Sequence, residues 1–216
     1  MKQESSRELY AYWNRIRADQ PAPARSDIDP ADLRRILSDI FILEAVDAET
    51  YLFRLAGTRV CGAYCREMKG SNYLDVWSAR DRSVMKRLLG AVTGEAAVAV
   101  LGIHGVNDRG QGLSFESLLL PLRNQRPRPD RLIGVLGPVD PPYWLGVAPI
   151  VRQEISGLRL INYDERRLDL EVEPRALKPA APSPLEPVSG SPSPRRRPFI
   201  VVKGGKHGEG TPQPTR

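Results

Sequence analysis

The residues predict an α+β fold, a five-stranded antiparallel sheet with helices on one face, preceded by an amphipathic helix and followed by a disordered C-terminal tail. Three observations carry this prediction. Short apolar runs come first as a pair and then as a trio, with helical spacing between them, which segregates strands from helices. Turn residues lie between consecutive runs at hairpin separation, so neighbouring strands run antiparallel. From Lys178 to Arg216 the composition changes, with nine of the twenty prolines and seven basic residues against two acidic ones. Such a stretch builds neither a long helix nor a central strand.

Taken in order, Ser5 and Glu8 make a capping-box pattern, and Leu9, Tyr12, Trp13 and Ile16 follow at helical spacing, so residues 6–18 are expected to form an amphipathic helix. A stripe of that size needs cover, from the sheet or from a second copy of the chain, which makes Trp13 a candidate partner contact. Pro21 and Pro23 end this helix. Asp29 and Pro30 then supply an N-cap and an N1 proline for a short second helix bearing Leu33, Ile36 and Leu37. Ile40 to Val46 and Tyr51 to Leu55 read as a hairpin around an Asp47-Ala48-Glu49-Thr50 turn.

Thr58 to Trp77 has no long periodic run and is expected to form short helical turns over one face of the sheet. Ser78 caps a clearer helix, with Asp81 at N3 and an inner stripe of Val84, Met85, Leu88, Leu89 and Val92, ended by Gly94. Ala97 to Val106, Leu113 to Leu122 and Arg131 to Gly137 are the last three strands. Beyond Pro141, a strand or helix is expected around Leu158 to Tyr163. The expected boundaries are an N-terminal helix and linker over 1–30, a domain over 31–140, its extension over 141–177 and the tail over 178–216.

Particular residues sharpen this order. Trp13 with Arg17, the segment Arg25-Ser26-Asp27-Ile28-Asp29-Pro30, the strand end Arg54-Leu55-Ala56-Gly57-Thr58, and the crossover from Glu67-Met68-Lys69-Gly70 to Tyr73 and Trp77 together resemble the alphaproteobacterial PAS-domain family of small single-domain proteins. The resemblance runs from Leu9 to Val139, and Cys65 stands where a glycine is expected. It implies a PAS-like sheet that cups a small ligand or presents a surface to a partner. It names no cofactor, since PAS domains hold haem, flavin, small metabolites or nothing on one scaffold.

The chemistry-bearing residues are few. Phe53, Tyr73, Trp77 and Phe115 either fill the core or line an apolar pocket, with Arg54 or Arg59 at its mouth to receive an amphipathic or anionic molecule. His104 joins this ligand-pocket set as a strand histidine, read as structural unless a pocket makes it a haem ligand or pH switch. Cys61 and Cys65 are spaced four apart, without the CxxC of redox and zinc sites, and read as two small packed side chains. No metal-ligand spacing, Walker motif or catalytic constellation occurs in the sequence, so neither an enzyme nor a metal site is expected.

The tail carries +5 of the net charge of +6. Within it Arg195, Arg196, Arg197, Phe199 and Val201 mark an apolar island behind basic residues, suited to docking on a partner by strand addition. The function expected is a non-enzymatic sensor or adaptor in bacterial signal transduction, with a small-molecule ligand, a protein partner in the pathway, or a homodimer as what it binds. The alternative is a nucleic-acid-associated protein acting through the basic tail, although the near-neutral body makes nucleic acid the weaker reading. The longest apolar run, Ala96 to Ile103, is too short to span a bilayer, and the cytoplasm is the expected location.

Overall fold

A computed structural model of the chain describes residues 1–124 and 130–161. The helices are α1 (Glu4–Arg17), α2 (Thr58–Ala63) and α3 (Ala79–Glu95). The strands are β1 (Ile40–Ala45), β2 (Tyr51–Ala56), β3 (Val98–Asn107), β4 (Gly112–Leu122), β5 (Arg131–Val139) and β6 (Ile150–Ile161). They form one sheet in the order β2-β1-β5-β4-β3-β6, antiparallel at every pairing. The five expected strands are therefore present within a residue or two of their predicted ends. A sixth, β6, pairs along the whole of β3 and replaces the vaguer element expected around Leu158. No helix among the described residues is long and apolar enough to cross a membrane. The proline-rich loop at 125–129 and the tail island of Arg195, Arg196, Arg197, Phe199 and Val201 lie outside the described residues.

Strand alternation sends side chains to two separate cores. On one face, Leu9, Tyr12 and Trp13 of α1 pack onto Ile40, Ile42, Leu118, Leu120, Ile133 and Val135. The stripe is thus covered by the sheet of the same chain. Trp13 is 2% exposed and its indole N–H donates to Pro121 O at 2.8 Å, which corrects its assignment as a partner contact. Arg17 lies over the Trp13 ring at 5.3 Å, the i,i+4 neighbour that a helix supplies. The Tyr12 hydroxyl accepts the Asp29 N–H at 2.8 Å, tying the Asp-Pro segment to the helix. Asp29 Oδ1 in turn accepts the Ala31 N–H at 2.8 Å and starts a 3₁₀ turn, Pro30–Leu33, where a short α-helix was expected.

The start of α1 also differs from expectation. It begins two residues early, at Glu4, and neither Ser5 nor Gln3 provides a side-chain cap. Instead Glu116 of β4 accepts the backbone N–H groups of Lys2 at 2.7 Å and Gln3 at 3.0 Å. A carboxylate at the positive end of a helix does the work of an N-cap from across the fold.

The other face is covered by α2, α3 and the 3₁₀ turn Tyr73–Val76. Ser78 Oγ accepts the Asp81 N–H as expected, and Met85, Leu88, Leu89 and Val92 are buried. The helix ends at Ala96 in a left-handed conformation, φ 57°, two residues past Gly94. Gly57 is required where it stands. A Cβ there would lie 2.3 Å from Ser38 O, because the chain turning out of β2 presses against the segment entering β1.

Candidate functional site

The four aromatic residues of the predicted pocket lie on one face of the sheet and divide between filling and lining. Phe53, Tyr73 and Trp77 lie on the α2/α3 face with Phe41, in edge and stacked contacts with ring centroids 5.6 to 5.8 Å apart. They are buried and form solid core. The Tyr73 hydroxyl sits within electrostatic reach of Trp77 and Ser117, and burial pushes its pKa well up. Neither Trp77 Nε1 nor Ser117 Oγ completes a hydrogen bond of normal geometry there.

Arg54 and His104 point elsewhere. Alternation turns Arg54 away from Phe53, and on the surface it pairs with Glu44, which Arg131 also approaches at 3.4 Å. His104 pairs in register with Ser114 and lies over Gly112 on the α1 face, opposite to Phe115. Neither residue is brought to the other predicted pocket residues. Of the six, Phe115 lines a space that the described residues enclose.

That space is a cavity of about 290 Å³ between α2, the ends of β4 and β5, and the loop that leads to β6. Thr58, Arg59, Gly62 and Ala63 form its α2 wall; Phe115, Leu136 and Pro138 form its floor; Leu145 and Gly146 close it from above. The loop is held down by Trp144, 6% exposed in the core, while Tyr143 and Val147 beside it are 90% and 77% exposed. The cavity exists because Gly62 and Ala63 present almost no side chain. A Cβ on Gly62 would have only Gly146 Cα near it, at 4.0 Å.

Arg59, named in the sequence as the second arginine beside Gly57, is the one charged residue in this lining. Its Nη1 donates to Asp39 Oδ2 at 2.8 Å. The Arg59 side chain is 63% exposed, whereas that of Asp39 is 5% exposed, with Oδ1 buried and accepting no hydrogen bond. Burial raises the Asp39 pKa above its ordinary 3.8, and the Arg59 charge offsets only part of that shift. Behind the pair lies a more polar hollow of about 420 Å³, walled by Glu4, Glu8, Arg35, Asp39, Arg59 and Pro138 among others. Arg59 and Pro138 therefore stand between two cavities.

The cysteines do not share a helical face. Cys61 is within α2, its thiol near Ala56 O, while Cys65 follows the end of the helix with φ 49°. The expectation of glycine at 65 has this physical basis, for the left-handed region favours it. Asp39, Gly62, Leu136, Pro138 and the 141–148 loop were not singled out from the sequence. Only the helical glycine, a position that costs stability unless space is needed there, offered a signal.

A family model described as a PAS domain matches residues 1–137. Comparison with curated proteins finds no match. Among solved structures the chain is similar to the LOV protein of Rhodobacter sphaeroides, with 10% identity and a TM-score of 0.40, covering 52% of this chain and 69% of that one. It is also similar to the dark structure of the blue-light photoreceptor Aureochrome1 LOV, with 13% identity and a TM-score of 0.40, covering 50% of this chain and 80% of that one. Likenesses of this size say nothing about what this chain binds.

Proposed function

The chain belongs to the PAS-domain family, and from that premise we propose that it is a non-enzymatic sensor or adaptor of bacterial signal transduction that takes a small molecule into the cavity under α2. The observation that supports this most is the cavity itself, an apolar hollow with a single guanidinium at its edge in an otherwise filled core. Binding sites commonly combine apolar walls with a few placed polar groups in this way. The loop over the cavity, with Trp144 inserted and Tyr143 and Val147 outside, gives an occupied site a means of changing the surface offered to a partner protein. The nucleic-acid alternative rests on tail residues outside the described structure.

The experiment is a comparison of wild type with Gly62→Leu. A Cβ there meets only Gly146 Cα, at 4.0 Å, on the side that lines the cavity, and a helical glycine is replaced by a better helix former. The variant is expected to fold with unchanged or slightly higher Tm while losing small molecules recovered from the wild type by denaturation and mass spectrometry, and losing thermal shifts produced by added compounds. Equal recovery and equal shifts in both proteins would remove the cavity as the binding site.

A further inference from the structure

The Arg59 and Asp39 pair is unequal, and the inequality points to the kind of ligand. Arg59 offers five N–H donors in a planar fork and spends one of them on Asp39. Asp39 is enclosed, with one oxygen held by Arg59 and the other accepting nothing. A buried carboxylate bonded through a single oxygen keeps most of its desolvation cost. The guanidinium is largely solvated and borders the apolar cavity, where it meets no second charge. A carboxylate at the cavity edge can take two parallel N–H bonds from the fork, the geometry arginine binds best.

We propose that the ligand of this cavity is an amphipathic monocarboxylate whose apolar tail fills the space under α2 and whose carboxylate draws Arg59 off Asp39. This rests on the cavity being the binding site. The space of about 290 Å³ suits an apolar tail of medium length. Asp39 then loses its cation inside the fold. The charged groups around it are Arg59 from α2, Arg35 ahead of β1, and Glu4 and Glu8 from α1 across the second hollow. With Arg59 withdrawn and two further carboxylates on that wall, Asp39 takes a proton from solvent. Its burial already favours the neutral form. Filling one cavity thereby changes the charge of the other, where α1 begins.

Octanoate and octanamide, equal in shape and differing in charge, test the proposal by calorimetry on the full chain. Octanoate is expected to bind wild type about tenfold tighter than octanamide, the factor that one charge-assisted contact supplies. Octanoate binding should also take up a proton, seen as a heat that varies with the ionisation enthalpy of the buffer. In Arg59→Gln the two ligands should bind alike. In Asp39→Asn, where Arg59 has no anionic partner to leave, octanoate should bind tighter and without proton uptake. Equal affinities in wild type, which requires no variant to fold, would overturn the carboxylate and leave the cavity reading standing. Absence of binding by either compound would overturn both. Weaker octanoate binding by a folded Asp39→Asn protein would overturn the exchange.

Discussion

The two faces of the sheet are built from similar strands and covered in different ways. Over one face lies one helix of fourteen residues, α1, with the segment that follows it from Ala22 to Leu37, and the aromatic side chains of α1 find polar partners for their hydroxyl and indole groups. Over the other lie a six-residue helix, a 3₁₀ turn, the longer α3 and a folded loop. A continuous helix presents its apolar side chains at regular spacing, and the hollow beside α1 is the polar one at its first turns. Short pieces meet at their ends, and where two small residues fall together, as at Gly62 and Ala63, a cavity remains. The closed face holds the domain together, and the open face has room to bind.

The largest effect that would break this contrast is on the closed face. Trp13→Ala removes a buried indole and leaves Pro121 O without its donor, and should cost about 3 to 5 kcal/mol by chemical denaturation. A loss under about 1 kcal/mol would mean that α1 is not the fixed cover described here.

Second in size is the tie between Glu116 and the start of α1. Glu116→Gln should cost about 1 to 3 kcal/mol, the scale of hydrogen bonds to a charged group. Its acid dependence sets it apart from Asp39. Although burial alone would raise the Glu116 pKa, the backbone donors of Lys2 and Gln3 bring it below its ordinary 4.5. Its contribution is therefore complete above that value and is lost as pH falls through the lower, folded one. For Asp39 the sign reverses, because a raised folded pKa means that protonation favours the folded state as pH falls towards 3.8. Stability measured from pH 7 to pH 3 should fall less steeply in Glu116→Gln than in wild type, and more steeply in Asp39→Asn. Parallel curves for all three would show that these carboxyls do not titrate as their surroundings require.

The smallest effect is expected at Cys65, which occupies the left-handed region just after α2. Cys65→Gly relieves a strain of about 1 kcal/mol and adds unfolded-state freedom of similar size, so Tm should move by only a few degrees. A large loss would show that the thiol is held by contacts beyond its 3.4 Å approach to Gly62 O.

The strands and α3 were legible because their signals are local. Ile40 to Leu43 is an unbroken apolar run, and Ser78 sits three residues before Asp81. The start of α1 was not legible, since the group that caps it is 113 to 114 positions away in sequence. Nor was β6 in full, because Arg152, Gln153, Glu154, Ser156 and Gly157 carry no apolar alternation and are fixed by pairing with β3. Gln153 is nonetheless buried, accepting the Tyr64 hydroxyl at 2.8 Å. The apolar pocket with an arginine at its edge was anticipated as a type, but its location was not. A cavity is made by what side chains leave unfilled, and of its small residues only the helical Gly62 gave a signal, one that does not say where the space lies.

The bond from Trp13 to Pro121, which spans 108 positions, also orders events in time. During synthesis α1 is made well before β4 and β5, the strands that complete the cover of its apolar stripe. At about 5 to 20 residues per second the stripe waits on the order of 5 to 20 seconds with only β1 and the turns before it to sit on. Until β4 and β5 are made, part of the apolar stripe of α1 is open to aggregation or to a chaperone.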